Sequence, residues 1–398
     1  MISRRALLRL LAAGAVLGPW TPGCGARRRP RAGGPYLLDA RPDQVTVALV
    51  TAAPTRLTLR WTPEGPGAPG EAEGPGPATL HRLPATGLVA GASYRYEVVD
   101  AQGNPLGGGR LRAAPSTGRV TFVALGDSGG TSTSRGALVD AADAQLERAR
   151  GTAHDEDQQA RVVGSLLLAG PPPDLLLHTG DVVYPEGARA DYAEAFFSPF
   201  APLIAQVPTY AAVGNHDIKS EGGTPFDDHL GLPGLPGHGV GRTRSFDYGP
   251  LHVVLVDAFG EDSLAPGGET LAWLEEDLRR SEATWKVALV HVPPFGPSRH
   301  GDSDSLQAGL VPALERAGVD LLLSGHDHVY ARYFPVRGVT YLVTGGGGQS
   351  LYEVRADARL AYAESVFHHV RGEVDGRSLH LSAVDATGRR FDACTLTK

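Results

Sequence analysis

The sequence has little cysteine and no excess of positive charge. Its 398 residues include only two cysteines, Cys24 and Cys394, which are too few for a disulfide framework. The 37 lysines and arginines are outnumbered by 44 aspartates and glutamates, so the formal net charge is −7. Because nucleic-acid binding needs a basic patch or stripe, we expect no nucleic-acid partner. Hydrophobic residues make up 42% of the chain, which is enough for a globular core.

Long hydrophobic runs are also missing, since no segment after the N-terminus has the roughly 18 continuous apolar residues of a membrane span. At the N-terminus, Arg4 and Arg5 precede an apolar run through Leu17. This pattern resembles a twin-arginine export signal, and an ordinary secretory signal is the alternative. The Gly before Cys24 resembles a weak lipobox. We therefore expect a signal over residues 1–25 and an exported chain that is periplasmic, secreted or lipid-anchored at the cell envelope through Cys24.

Residues 26–34 are rich in Arg, Pro and Gly, which predicts a linker. Residues 35–115 contain short runs of alternating apolar residues, which are typical of half-buried strands. The Pro- and Gly-rich stretch 62–77 is expected to hold no regular structure. The piece 87–96, which includes two tyrosines, resembles a tyrosine corner, where a buried tyrosine ties a loop to a sheet. These features predict a small fibronectin-like β-sandwich with a structural role.

From residue 119 to residue 395 the pattern changes to short apolar strands that end in Gly, Asp, Asn or His, with helical stretches between them. Such alternation predicts an α/β domain, in which sites lie at the carboxyl ends of strands. The strands are predicted at 120–125, 175–178, 209–213, 251–256, 286–290, 321–323 and 340–343, and the helices at 137–149, 158–168, 269–280 and 305–317. The C-terminal segment returns to a β pattern.

Five short motifs with metal-ligand side chains fall where predicted strands end. Each one alone is weak evidence, because an Asp after a strand is usually a loop cap and a lone His is usually a core residue. The five in this order are far less easily explained by chance, and they predict a metal centre. The motifs are Gly126-Asp127-Ser128-Gly129, Gly180-Asp181-Val182-Val183-Tyr184, Gly214-Asn215-His216-Asp217, the apolar run that ends at His291, and Gly325-His326-Asp327-His328.

Together these motifs resemble those of the calcineurin-like metallophosphoesterases and, within that family, the purple acid phosphatases. The resemblance covers residues 119 to about 392. It implies a two-sheet α-β-β-α sandwich with two metal ions at its centre. The resemblance places one ion on Asp127, Asp181, Tyr184 and His328, and the other on Asp181, Asn215, His291 and His326, so that Asp181 bridges the two.

The identity of the metals is inferred from the ligand types. Carboxylates and a phenolate suit Fe(III), whereas imidazoles and an amide oxygen suit a divalent Fe, Zn or Mn. Many relatives carry His at the position of Gly129, and purple phosphatases carry their iron-binding phenolate at the position of Tyr184. We therefore expect a ferric site. The alternative is that Tyr184 is a structural aromatic residue beside other metals.

The same resemblance implies two catalytic histidines: His216, which would stabilise the transition state, and His300, which would protonate the leaving oxygen. Asp217 and Asp327 are expected to orient neighbouring groups. The predicted function is acid phosphatase activity on small-molecule phosphate monoesters, through attack by a metal-activated hydroxide. Two alternatives are a phosphodiesterase acting on nucleotides or lipid headgroups, and a cell-surface binding protein with a degenerate site. The sequence leaves the substrate and the oligomeric state open.

Overall fold

The computed structural model describes residues 33–130, 158–232, 239–260 and 264–398. The predicted signal, Cys24 and the helix expected over 137–149 lie outside these ranges. Among the described residues, no helix is long and apolar enough to cross a membrane.

The N-terminal strands form two antiparallel sheets, in keeping with the predicted β-sandwich. A three-stranded sheet has the order β1-β2-β5, and a four-stranded sheet has the order β4-β3-β6-β7. Their bounds are β1 Gly33–Leu38, β2 Gln44–Thr55, β3 Leu57–Pro63, β4 Gly70–Glu73, β5 Ala78–Thr86, β6 Ser93–Asp100 and β7 Pro105–Arg112. The tyrosine corner is present, because the buried Tyr94 accepts a hydrogen bond at its Oη from the backbone N–H of Val89, 2.9 Å away.

Two expectations for this region are wrong. Strand β4 lies inside the stretch 62–77, which was expected to be irregular, because its backbone pairs with β3 from Thr58 to Trp61. Gly70 permits this pairing, since a Cβ there would lie 2.3 Å from the Trp61 ring. Strand β1 includes Gly33 and so overlaps the predicted linker. In both places strand pairing, which depends on a distant partner, overrides a Gly- and Pro-rich composition.

The remaining strands form two larger sheets. A six-stranded sheet has the order β10-β9-β8-β19-β20-β21, and an eight-stranded sheet has the order β11-β12-β13-β14-β15-β17-β16-β18. The strands of the six-stranded sheet are β8 Val120–Leu125, β9 Leu175–His178, β10 Thr209–Ala211, β19 His368–Asp375, β20 Ser378–Asp385 and β21 Arg390–Thr397. Those of the eight-stranded sheet are β11 Gly239–Val240, β12 Thr243–Tyr248, β13 Leu251–Val256, β14 Trp285–Val290, β15 Leu321–Ser324, β16 Tyr330–Tyr333, β17 Thr340–Thr344 and β18 Leu360–Glu364.

Helices cover the outer faces of these two sheets. They are α1 Gln158–Leu168, α2 Ser198–Ile204, α3 Thr224–His229, α4 Glu269–Arg280, α5 Asp304–Ala308 and α6 Leu310–Ala317, with a π-helical turn at Ala193–Phe197 before α2. The single helix predicted over 305–317 is divided into α5 and α6 at Gly309. The chain packs closely there, since a Cβ on Gly309 would lie 2.0 Å from the carbonyl oxygen of Leu264.

Side chains alternate between the two faces of each strand and so build three core layers. Phe122 and Ala124 of β8 face the opposite sheet, where Val287 and Leu289 of β14 belong to the same buried cluster. Val123 faces the other way, toward α1. On the far side of the eight-stranded sheet, Val254 and Ala288 pack with Leu274 of α4 and Leu314 of α6. The predicted α-β-β-α sandwich is therefore confirmed.

Candidate metal centre

The candidate ligands meet because both large sheets end at the same place. Strands β8, β9 and β10 are parallel in one sheet, and β14 and β15 are parallel in the other. Parallel neighbours bring their carboxyl ends to one edge, and the stacked sheets bring the two edges together. The residues that follow these five strands are Asp127, Asp181 with Tyr184, Asn215, His291, and His326 with His328.

The hydroxyl of Tyr184 lies at the centre of one half of the site. It is 2.8 Å from Asp181 Oδ2 and 3.1 Å from Asp127 Oδ1, and it donates toward these carboxylates. It is also 3.2 Å from His328 Nε2, which itself lies 3.4 Å from Asp127 Oδ1. Four of the predicted ligands thus converge on one point.

The side-chain oxygen of Asn215 organises the other half. Asn215 Oδ1 lies 3.2 Å from His291 Nε2 and 3.1 Å from His326 Nδ1. His291 Nε2 is in turn 3.3 Å from Asp181 Oδ2. Asp181 therefore borders both halves, and all seven predicted ligand residues are brought together. Ligand atoms of Asp127, Asp181 and His291 lie within 4.8 Å of one another.

The backbone around the donors is unusually tight. Asp127, Asp181 and His326 have positive φ angles of 57°, 52° and 66°, a conformation that costs energy for residues other than glycine and often occurs at functional sites. A Cβ at Gly214 would lie 2.1 Å from Asp181 Oδ1, and one at Gly325 would lie 2.4 Å from Asp127 Oδ2. Glycine is therefore required at both positions for the carboxylates to occupy their places.

Gly129, the position discussed above as a subfamily marker, has no room for a side chain. A Cβ on Gly129 would lie 2.3 Å from the carbonyl oxygen of Val182. The backbone of Gly129 instead pairs with Tyr184, whose N–H donates to the Gly129 carbonyl oxygen at 2.6 Å. The close approach of residues 182–184 to Gly129 thus both excludes a histidine side chain and positions the segment that carries the phenol.

Neighbouring polar groups orient the imidazoles. His291 Nδ1 is 2.9 Å from the carbonyl oxygen of Thr179, and His328 Nδ1 is 2.6 Å from that of Ser350. Because a carbonyl only accepts, Nδ1 carries the proton in both rings, which directs Nε2 into the site. This arrangement is typical of histidines that bind metals.

Asp217 binds backbone groups of two ligand loops, whereas Asp327 binds two side chains. Asp217 is buried and accepts hydrogen bonds from the backbone N–H groups of Val182 and Gly214 at 2.9 Å. It therefore ties together the loops of Asp181 and Asn215. Asp327 Oδ1 accepts from Ser298 Oγ at 2.6 Å and lies 2.7 Å from His300 Nδ1. Its partner is thus one of the predicted catalytic histidines rather than a predicted metal ligand.

The buried ionisable groups of the centre shift one another's pKa values. Burial opposes the charge on Asp181, but His291 and the backbone N–H of His216 outweigh burial and lower the pKa of this carboxyl. Burial likewise opposes a charge on His291, but Asp181 outweighs it and raises the pKa of His291 to about 10. Burial, followed by the charges of Asp181 and Asp127, raises the pKa of Tyr184 well above its ordinary value. A bound cation would compete with these protons.

The two predicted catalytic histidines border the centre on opposite sides. The ring of His216 packs on Tyr184 with centroids 4.3 Å apart, and its Nδ1 is 2.5 Å from the carbonyl oxygen of Pro185. The ring of His300 stacks on His326 at 4.4 Å. Both rings therefore lie beside the converging donor atoms, and His216 Nε2 is 3.9 Å from Asp181 Oδ2.

Sequence reasoning missed three residues next to the site. Tyr352 stacks on His328 with ring centroids 4.1 Å apart. Lys219 Nζ lies 3.0 Å from His216 Nδ1. The buried His178 joins two ligand loops, because Nδ1 accepts from the backbone N–H of Gly180 and Nε2 lies 2.8 Å from Ser128 Oγ. His178 and Lys219 lie within three residues of Asp181 and His216, which is a detectable signal, whereas no sequence pattern indicates Tyr352.

The donor set fits two cations. One half offers two carboxylates, a phenol and an imidazole, which are ligands for a hard, highly charged ion; the other offers imidazoles, an amide oxygen and a shared carboxylate. The close approach of carboxylate oxygens, a hydroxyl and imidazole nitrogens within a buried site is the arrangement that a cation stabilises.

Comparison with known proteins defines the class of protein. Residues 120–330, more than half of the chain, match the family model described as calcineurin-like phosphoesterase, and the chain belongs to this family. It is similar to purple acid phosphatase 21 of Arabidopsis thaliana, with 26% identity over 201 residues, which are 44% of each chain. It is also similar to human acid phosphatase type 7, with 26% identity over 214 residues, 44% of this chain and 48% of that protein. The match thus spans about half the length of these relatives.

Solved structures extend the similarity of fold beyond the matched region. The purple acid phosphatase PPD1 from yellow lupin seeds superposes with a TM-score of 0.73 at 18% identity, covering 91% of this chain and 74% of that one. The structure of PhoD gives a TM-score of 0.65 at 13% identity and covers 94% of both chains. The fold and the donor set together are those of a purple acid phosphatase-like metallophosphoesterase.

Proposed function

We propose that this chain is a two-metal phosphatase that hydrolyses small-molecule phosphate monoesters, with residues 35–115 forming a separate β-sandwich and residues 119–395 the catalytic domain. One observation carries the proposal: seven side chains from five strand ends converge, with Asp181 between the two halves. A degenerate binding protein would have no reason to retain this full donor set. The acid phosphatases among the relatives support the choice of reaction.

We assign one cation, Fe(III), to Asp127, Asp181, Tyr184 and His328, and a divalent Fe, Zn or Mn ion to Asp181, Asn215, His291 and His326. When bound, the two ions would neutralise the charge of a phosphate group and activate a water molecule. The chain positions them through Asp181, which borders both halves. The histidine tautomers fixed by Thr179 and Ser350 present Nε2 rather than Nδ1 to the ions.

The remaining chemistry belongs to the two flanking histidines. His216 donates its Nδ1–H to Pro185, so its Nε2 is the nitrogen that can contact a phosphate oxygen. His300 is oriented by Asp327, which accepts the Nδ1–H and leaves Nε2 to hold the proton for the leaving oxygen.

We also propose that the chain is exported, on the basis of Arg4, Arg5 and the apolar run that follows. Lipidation of Cys24 would anchor it to a membrane, and no other membrane contact is proposed. Fractionation of cells that express the full chain tests this. Replacing Arg4 and Arg5 by Lys should retain the protein in the cytoplasm if export uses the twin-arginine route.

The test of the function combines metal analysis with a substrate panel. We expect two metal ions per chain and hydrolysis of 4-nitrophenyl phosphate at a rate well above that of bis(4-nitrophenyl) phosphate. Asp181→Asn should lose metal and activity together, because the shared carboxylate is weakened as a ligand. Asp247→Asn, an exposed acid in β12, is the matched control and should retain both. Faster hydrolysis of the diester would replace the phosphatase assignment by that of a phosphodiesterase, and one metal ion or none would overturn the two-metal centre.

A further inference from the structure

Arg82, in strand β5 of the N-terminal sheets, contacts the end of a helix in the α/β part of the chain. Its Nη1 donates to the carbonyl oxygen of Gly231 at 2.8 Å, and its Nη2 donates to those of Asp228 at 2.9 Å and Asp227 at 3.2 Å. These carbonyls lie at or just beyond the C-terminal turn of α3, where a helix runs out of its own donors; that of Asp227 also accepts from the backbone N–H of Gly231 at 3.1 Å. A guanidinium with several N–H groups is suited to satisfy them together.

The segment 219–231, which we name the rim loop, is held by two arginines that lie outside it. Arg242 binds the carboxylate of Asp227 through Nε and Nη2, at 2.8 and 2.9 Å, and also donates to the carbonyl oxygen of Gly222 at 2.6 Å. Arg189 pairs with Asp228 at 2.6 Å and with Glu221 at 3.4 Å. Each arginine contacts both residues 221–222 and residues 227–228. A shift of helix α3 would therefore also displace the first part of the rim loop.

Those first residues border the metal centre. Lys219 Nζ lies 3.0 Å from Nδ1 and 3.4 Å from Nε2 of His216. The next residue, Ser220, donates its backbone N–H to the carbonyl oxygen of Glu186 at 2.9 Å. Glu186 follows Pro185, whose carbonyl oxygen orients the His216 ring. The rim loop thus carries a positive charge to the side of the site where His216 would meet a phosphate group.

We propose that Arg82 is a positioning residue for substrate binding, which gives the N-terminal sheets a role in recognising the phosphate ester. Arg82 fixes the end of α3, the arginine contacts transmit that position along the rim loop, and the loop places Lys219 beside His216. This inference rests on the proposed phosphatase function. Because Lys219 would meet the phosphate group in the bound substrate as well as in the transition state, a displacement of about 1 Å is expected to weaken binding more than the chemical step.

Another contact between the N-terminal sheets and the α/β part provides a control. Tyr96 Oη donates to the carbonyl oxygen of Ala205, just after α2, at 2.7 Å. This bond joins the same two parts of the chain but ends outside the rim loop. Tyr96→Phe therefore weakens the interface without loosening the loop.

The experiment compares Arg82→Gln, Arg82→Lys and Tyr96→Phe in the full chain. With 4-nitrophenyl phosphate, Arg82→Gln should raise KM about fivefold or more and change kcat less than twofold, which indicates a loss of binding rather than of the chemical step. Amide hydrogens of residues 219–231 should exchange faster in this variant, while its metal content remains that of the wild type. Arg82→Lys, which keeps the charge but not the fork of donors, should have an intermediate KM. Tyr96→Phe should change neither KM nor exchange in the rim loop.

Unchanged KM and unchanged exchange in Arg82→Gln would overturn the proposal, and so would an equal rise of KM in Tyr96→Phe. If Arg82→Gln does not fold, the same comparison is made with Arg82→Lys against Tyr96→Phe. A wild-type protein that binds metal but hydrolyses no phosphate ester contradicts the proposed function instead. In that case the exchange measurement still decides whether Arg82 orders the rim loop.

Discussion

Tyr184 is the residue on which the choice of metal depends. Its hydroxyl lies between Asp127, Asp181 and His328. Burial, together with the adjacent carboxylates, raises the pKa of the phenol and keeps it protonated unless a strongly charged cation displaces the proton. Fe(III) is such a cation, and its bond to a phenolate absorbs visible light. Iron bound at Tyr184 is therefore expected to give a visible absorption band that can be measured.

Tyr184→Phe removes the hydroxyl but keeps the ring that packs on His216. We expect the fold to remain, the visible band to disappear and the iron content to fall, because a phenyl ring offers no donor. Absorption spectra and elemental analysis measure this. Tyr192→Phe is the matched control: Tyr192 is a buried tyrosine whose hydroxyl has no hydrogen-bond partner among the described residues. A wild-type protein that contains iron but is colourless would contradict the ferric phenolate.

The two proposed catalytic histidines should differ in how the loss of activity after their replacement depends on the leaving group. His300→Gln removes the proposed acid, so the loss should be about 10²-fold for phenyl phosphate and much smaller for 4-nitrophenyl phosphate, whose phenolate leaves without a proton. His216→Ala should lower turnover of both esters by about 10²-fold or more, since it acts on the phosphate itself. Metal content should be retained in both variants. Equal losses on both esters for His300→Gln would remove this residue from proton transfer.

At the scale of elements, the strands are regular and the loops that follow them carry the site. His252 of β13, which is almost fully buried, connects the hairpin β12–β13 to helix α4. Its Nδ1 lies 2.7 Å from Asp247 Oδ1 of β12, and its Nε2 lies 2.9 Å from Asp277 Oδ2 of α4. With a carboxylate at each ring nitrogen, both nitrogens carry protons. Burial disfavours this charge, but the two carboxylates outweigh burial and raise the pKa of His252 to about 9.

The stability contributed by His252 should depend on pH in a defined direction. Because its pKa is higher in the folded than in the unfolded chain, the contribution is complete below about pH 6 and is lost as the pH rises through 9. We expect His252→Gln to lower the free energy of unfolding by about 2 kcal/mol at pH 6, after allowance for screening around the exposed Asp247, and by little at pH 10. Urea denaturation at both pH values measures this. His380→Gln, at an exposed histidine of β20 bonded to Thr395, should show no such pH dependence.

At the scale of the whole molecule, the two large sheets must stay aligned for the site to exist, since each supplies part of the donor set. Asp392 of β21, in one sheet, binds Arg332 of β16, in the other, through two bonds of 2.7 and 2.9 Å. Tyr330 Oη donates to the same carboxylate at 2.7 Å. Tyr330 and Arg332 follow His328 closely in the chain. Their bonds to Asp392 therefore hold the two sheets together next to a candidate metal ligand.

Asp392→Asn leaves the half-buried guanidinium of Arg332 without its counter-charge, and we expect a loss of about 2 kcal/mol in the free energy of unfolding. Denaturant titration of the metal-loaded protein measures this. The control is Glu276→Gln, which breaks an exposed pair with Arg279 on α4 and should have a much smaller effect. Similar stabilities of the two variants would mean that the pair between the sheets does not hold them together.

Local sequence patterns were sufficient to predict the α/β class of residues 119–395, the positions of most strands and polar candidate ligands at the strand ends, while the family resemblance implied the α-β-β-α architecture and the set of seven donors. Ligands at strand ends follow a local rule: an apolar run stops, and Asp, Asn or His comes next, as in 120–127 and 286–291. The tyrosine corner at Tyr94 is likewise local, because its partner Val89 is five residues away. Such features depend on nearby residues and can be recognised without knowing the fold.

Only the tertiary structure decided the rest, because those features depend on partners far apart in the chain. Strand β4 forms where composition indicated an irregular segment, and one predicted helix is divided at Gly309 by contact with Leu264. Tyr352 joins the site by stacking on His328, although its own sequence gives no signal. Arg82 reaches the rim loop across 149 positions to Gly231. The energy of each contact comes from close packing or from hydrogen bonds made in three dimensions, so none of them could be read from local pattern.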